Sequence, residues 1–141
     1  MSCNSQPKNH VFNSKFGYSI MLPENWAEYE DDENVNAFFD TENWTGNLRI
    51  TVIEVNKNID DSYIEEEYKS RPKAEKISTQ NSLTGLKYTE ESRDGLMHYW
   101  QIFHENKLFI CSFILNPEND NNLNKTEIEK VEKIIYSIKA I

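Results

Sequence analysis

The sequence predicts an α+β fold: a largely antiparallel β-sheet packed with two main helices. Three observations carry this. The stretch Phe16-Gly17-Tyr18-Ser19-Ile20-Met21-Leu22 places apolar residues at every second position and stops at Pro23, which has no N–H for a ladder. Two apolar stripes, Tyr63/Ile64/Tyr68 and Ile128/Val131/Ile134/Ile135/Ile138, recur at helical spacings. The predicted strands do not alternate one for one with helices, which excludes a parallel βαβ layout.

The elements follow in chain order. Residues 1–13 are polar and read as a flexible tail, with a single domain over residues 14–141. The strand from Phe16 to Leu22 comes next, and Trp26 is expected to lay its indole over the sheet end. Glu28 to Asn34 reads as a solvated acidic connection and Val35–Asp40 as a short strand. Thr41 to Asn47 has turn composition. Leu48 to Val55, rich in β-branched residues, is the clearest strand. Asp60 or Asp61 caps a helix over Ser62 to Ser70, which Pro72 stops. Residues 74–82 read as a connection with extended character, and Leu83 to Glu91 as a strand. Asp94-Gly95 signals a turn. Met97 to Glu105 and Lys107 to Leu115 form a hairpin joined at Asn106-Lys107. After a polar loop over residues 117–122, Asn124 and Glu127 resemble a capping box that opens a helix running to the last residue.

Composition bounds the function. The chain has 141 residues, enough for one domain with a true core. Only 38% of them are hydrophobic, but 12% are aromatic, and large rings build a core from few positions. The formal net charge of −9 repels phosphate backbones and anionic membranes, so nucleic acid is not an expected partner. It favours solubility and, among partners, basic proteins. No apolar run approaches the roughly 18 residues that span a bilayer. Cys3 lies in a polar opening without an apolar leader. A cytoplasmic protein is the first reading, and a lipid anchor at Cys3 after loss of a leader is the alternative.

Candidate chemistry is sparse. His98 and His104 stand six residues apart on one strand, roughly 20 Å at about 3.3 Å per residue, so they cannot share a metal. His10 lies in the tail. Cys111 sits in the apolar run Leu108–Leu115 and reads as an inert core thiol. No catalytic set, metal set or cofactor is expected, and the four glycines build no phosphate loop. Five carboxylates, Glu28, Glu30, Asp31, Asp32 and Glu33, crowd within six residues. They lack the calcium-loop pattern and read first as a solvated face, then as a dock for a basic partner. Trp44, in a polar turn, is either an interface anchor or a lid on the sheet.

The opening Phe16-Gly17-Tyr18-Ser19-Ile20, Pro23 and Trp26, the hairpin Tyr99-Trp100-Gln101-Ile102 to Leu108-Phe109-Ile110-Cys111, and the closing Ile134 to Ile138 resemble the PsbP-like fold family over residues 14–141. The resemblance implies an α/β sandwich. It carries no common catalytic set, and the better-known members of that family work by binding proteins.

The expectation for function is therefore a small non-enzymatic domain that binds another protein, of basic character, through Glu28, Glu30, Asp31, Asp32, Glu33 and Trp44. An immunity-type protein that neutralises a basic toxin is its sharper form. The alternative is a carrier of a small molecule or cation, with an apolar pocket between helix and sheet.

Overall fold

The structure, a computed structural model, describes residues 8–115 and 121–141, and for residues 30, 31 and 121 the backbone alone. The main sheet has seven strands: β3 (Trp26–Asp32), β4 (Val35–Asp40), β5 (Leu48–Glu54), β6 (Glu75–Ser78), β7 (Thr84–Ser92), β8 (Gly95–His104) and β9 (Lys107–Leu115), in the order β3-β4-β5-β9-β8-β7-β6. A smaller sheet joins β1 (His10–Asn13), β2 (Tyr18–Leu22) and β10 (Lys139–Ala140) in the order β1-β2-β10. All of these pairings are antiparallel. Helix α1 (Asp61–Lys69) follows β5 and helix α2 (Asn121–Tyr136) precedes β10.

Strand register sorts the side chains of the main sheet into two faces. Ile50, Cys111 and Trp100 lie opposite one another along β5, β9 and β8, and Val52, Phe109 and Ile102 form the next row. This inner face packs against Val131, Ile134 and Ile135 of α2, Ile138 beyond it, and Tyr18, Ile20 and Leu22 of the small sheet. The outer face carries Leu86, Phe103 and Leu108, covered by Ile59, Tyr63, Ile64 and Tyr68 of the α1 region. The result is the expected α+β sandwich. Asp60 caps α1 by accepting the Tyr63 N–H at 2.9 Å.

Several expectations are corrected. The acidic stretch is not a connection: Trp26–Asp32 is strand β3, paired with β4 and irregular between Glu30 and Asp32. It is an edge strand, and carboxylates on an open edge stay hydrated and discourage another chain from adding there. Residues 10–13, expected as part of a flexible tail, form a strand, because His10–Asn13 pairs with β2. Phe12 secures it, with its ring edge-on to Phe38 at a centroid distance of 5.1 Å. Strand β2 begins at Tyr18, and the preceding Gly17 sits at φ +100°, in the turn that brings β1 back along β2. Residues 75–78 form a true strand.

Helix α2 begins at Asn121, which places Asn124 and Glu127 inside it. The capping box does not form: the buried Asn124 Oδ1 finds no hydrogen-bond partner among the described residues, and Glu127 reaches Thr45 and Lys130. The helix ends at Tyr136, where the chain turns and adds β10 to the small sheet. The expected polar loop over residues 117–122 lies mostly outside the described residues.

Candidate functional site

The structure separates the expected site residues. Glu28 is half-buried in a network: Asn36 Nδ2 donates to Glu28 Oε2 at 3.0 Å, while Asn36 Oδ1 accepts from Ser14 Oγ at 2.6 Å and Tyr18 OH at 2.8 Å. Burial, foremost, pushes the Tyr18 phenol well above its ordinary range, so it remains a donor. Glu28 thus ties an edge strand to β2. Asp32, the last residue of β3, and Glu33, in the turn to β4, are exposed; Asp32 Oδ1 accepts the Glu33 N–H at 2.7 Å and Asn34 adopts φ +65°. The side chains of Glu30 and Asp31 lie outside the described residues.

Trp44 stands at the other end of β4 from Asp32 and Glu33, about 17 Å along the strand at about 3.3 Å per residue. It is 65% exposed, and its indole N–H donates to Asn47 Oδ1 at 3.0 Å. The loop that carries it is pinned at several points. Buried Asp40 accepts from Asn25 Nδ2 at 2.5 Å and from the N–H groups of Glu42 and Asn43 at 2.9 and 3.0 Å. Thr45 Oγ1 donates to Oε2 of the fully buried Glu127 at 2.8 Å. Gly46 is packed so closely that a Cβ there would stand 2.9 Å from Phe113 Cζ. Trp44 is therefore an exposed ring on a fixed loop, and the lid reading is set aside.

Neither candidate for chemistry is placed to act as a nucleophile–base pair. Cys111 is fully buried, and burial raises its thiol far above the range in which a thiolate forms. His98, on the inner face of β8, stacks on Trp100 with ring centroids 6.0 Å apart, and burial lowers its pKa below 6.5. His104 lies at the strand end near Glu105, 3.8 Å away. Among the described residues, no three His, Cys, Asp or Glu side chains come together as a metal set. No helix among them is long and apolar enough to cross a membrane.

A feature that periodicity did not reveal is a cleft of about 940 Å³ where the small sheet meets the C-terminal half of α2. Register puts Val11, Asn13, Ser19, Met21 and Lys139 on one face of that sheet. Lys130, Lys133, Ile134 and Ser137 of the α2 segment also line the cleft, together with Gln80 and Asn81. The walls are tied together. The Met21 N–H donates to Ser137 Oγ at 2.8 Å, the Gln80 N–H to the Tyr136 carbonyl at 2.9 Å, and Asn81 Nδ2 to the Ile138 carbonyl at 3.0 Å.

Comparison with known proteins agrees with this architecture. A crystal structure of a protein from Bacteroides thetaiotaomicron VPI-5482 is similar at a TM-score of 0.71 and 24% identity. The match covers 93% of this chain and 48% of that one, so the chain spans about half the length of that relative. The solution structure of the cyanobacterial PsbP (CyanoP) from Synechocystis sp. PCC 6803 is similar at a TM-score of 0.64 and 13% identity, covering 100% of this chain and 98% of that one. At these identities the likeness establishes the fold, which is PsbP-like. No match was found among curated proteins. A family model described as a domain of unknown function matches residues 7–140.

Proposed function

The chain belongs to the DUF3805 family, a domain of unknown function, and from that premise we propose that it is a non-enzymatic module that binds another protein. The observation that carries this reading is Trp44, a large ring that is 65% exposed on a loop already held by Asp40 and Glu127. A rigid exposed aromatic contributes contact area to an interface with little ordering entropy left to lose, which is why such residues serve as anchors. A net charge of −9 supports a partner of basic character, drawn in by the field and seated on Trp44. Asp32 and Glu33, exposed about 17 Å away along the hairpin at about 3.3 Å per residue, add steering charge at the rim.

The test is affinity capture from native extract with wild type, Trp44→Ala and the Asp32→Lys/Glu33→Lys variant, at low and high salt. A partner lost with Trp44→Ala at both salts, and captured more slowly by the charge-reversed variant, supports the reading. Capture that is indifferent to Trp44, or no specific partner for wild type, overturns it.

A further inference from the structure

The cleft beside α2 carries charge of the opposite sign to the protein as a whole. The chain has 24 acidic and 15 basic side chains, yet Lys130, Lys133 and Lys139 line this cleft against one side-chain carboxylate, Asp40. That carboxylate already accepts from Asn25, Glu42 and Asn43. Lys130 pairs with Glu127 at 3.1 Å. Lys133 and Lys139 have no anionic partner among the described residues.

Apolar surface is left open in the same place. Val11 is 55% exposed, Ile141 61% and Met21 39%, and all three line the cleft. Polar rims around apolar patches mark sites where something binds. The volume of about 940 Å³ falls within the roughly 300–1,000 Å³ of organic-ligand sites. Unmatched ammonium groups repel one another, and wetted apolar side chains favour cover. A single ligand relieves both only if it joins a negative head to an apolar body.

We propose that this cleft binds an amphipathic anion in monomeric form, with a carboxylate or phosphate head between Lys133 and Lys139 and an apolar chain along Val11, Met21 and Ile141. The concave shape suits one molecule rather than a bilayer surface. The site is distinct from Trp44, so it stands or falls independently of the protein-binding reading.

The experiment is calorimetric titration with octanoate and octyl phosphate below their micellar range. Octyltrimethylammonium, inorganic phosphate and vesicles of anionic phospholipid serve as comparators. Saturable binding of both octyl anions is expected. The octyl cation should not bind, and inorganic phosphate should bind more weakly because it lacks the chain. Lys133→Glu/Lys139→Glu should weaken octyl-anion binding about tenfold or more, since two attractive contacts become repulsive. Lys133→Gln, a milder change at an exposed position, should weaken it in the same direction if the double variant does not fold. Trp44→Ala should bind as wild type does. The proposal is overturned by absence of saturable binding, by equal binding of the octyl cation, by binding to vesicles alone, or by lysine variants that bind unchanged.

Discussion

The indole N–H of Trp100, in the middle of the main sheet, donates to Glu132 Oε2 of α2 at 3.1 Å. The same oxygen accepts from Lys87 Nζ at 3.1 Å and Tyr136 OH at 3.3 Å. One carboxylate thus locks the helix to two strands across an otherwise apolar interface. Burial pulls the Lys87 pKa down, but the hydrogen bond and charge of Glu132 outweigh it, and the ammonium stands above its ordinary value. Glu132→Ala leaves the Trp100 and Tyr136 donors without this acceptor, while Lys87 keeps Glu75 at 3.6 Å, and should cost about 2–3 kcal/mol. Glu132→Gln, which keeps an acceptor, should cost about 1 kcal/mol. Urea unfolding checks both; an unchanged midpoint for Glu132→Ala would show that the apolar stripe alone holds α2.

Asn36 plays the corresponding part at the other end of the core. It serves Ser14, Tyr18 and Glu28 at once, so Asn36→Ala should destabilise by about 2–3 kcal/mol. Tyr18→Phe, which removes one donor and keeps the ring, should cost about 1 kcal/mol. The double variant should fall short of the sum, because the Tyr18–Asn36 hydrogen bond can be lost only once. A double-mutant cycle by denaturant titration reads that coupling, and strict additivity would argue against a shared network.

Gly46 and Trp44 are two residues apart in one loop but should behave oppositely. A Cβ at Gly46 would meet Phe113 Cζ at 2.9 Å and the Ile114 carbonyl at 3.1 Å. Gly46→Ala should therefore destabilise by about 1–3 kcal/mol through overpacking. Trp44→Ala, at an exposed ring, should stay within about 0.5 kcal/mol of wild type while abolishing partner capture. Thermal melts of the two variants side by side test this. A large loss of stability for Trp44→Ala would mean that the ring supports the loop.

His98 should make the fold sensitive to mild acid. Burial holds its pKa below the ordinary 6.5, so under acid conditions the unfolded chain takes up a proton before the folded one does. Its contribution to stability is complete above pH 6.5 and is lost as pH falls through the folded value. His98→Gln removes that dependence. Between pH 7 and pH 5 the melting temperature of wild type should fall more steeply than that of His98→Gln, and parallel curves would assign the acid response to other groups.

Much of this fold could be read locally. Leu48–Glu54 and the β8–β9 hairpin announce themselves by β-branched and aromatic residues, the α1 cap by the pair Asp60 and Asp61, of which Asp60 serves, and the two helices by their stripes. These signals need only neighbouring residues. The acidic edge misled because the same residues form a loop in water or a strand beside Val35–Asp40, and only the partner decides. The end of α2 misled for the same reason. Tyr136 to Ala140 leaves the helix because β2 offers a strand edge and Gln80 takes the Tyr136 carbonyl.

By itself, then, the sequence determined the class of the fold, the strand and helix inventory near its strongest periodicities, the burial of Cys111 and the acidic surface. Periodicity and composition are properties of neighbouring residues, and burial follows from them. Tertiary structure alone decided that Glu28 is a structural ligand of Asn36, that Trp44 stands exposed on a pinned loop, and that Lys133 joins Lys139, Val11 and Met21 in lining one cleft. The reason is distance along the chain. The hydrogen bond from Met21 to Ser137 that closes the cleft spans 116 positions, and no local pattern encodes a contact of that length.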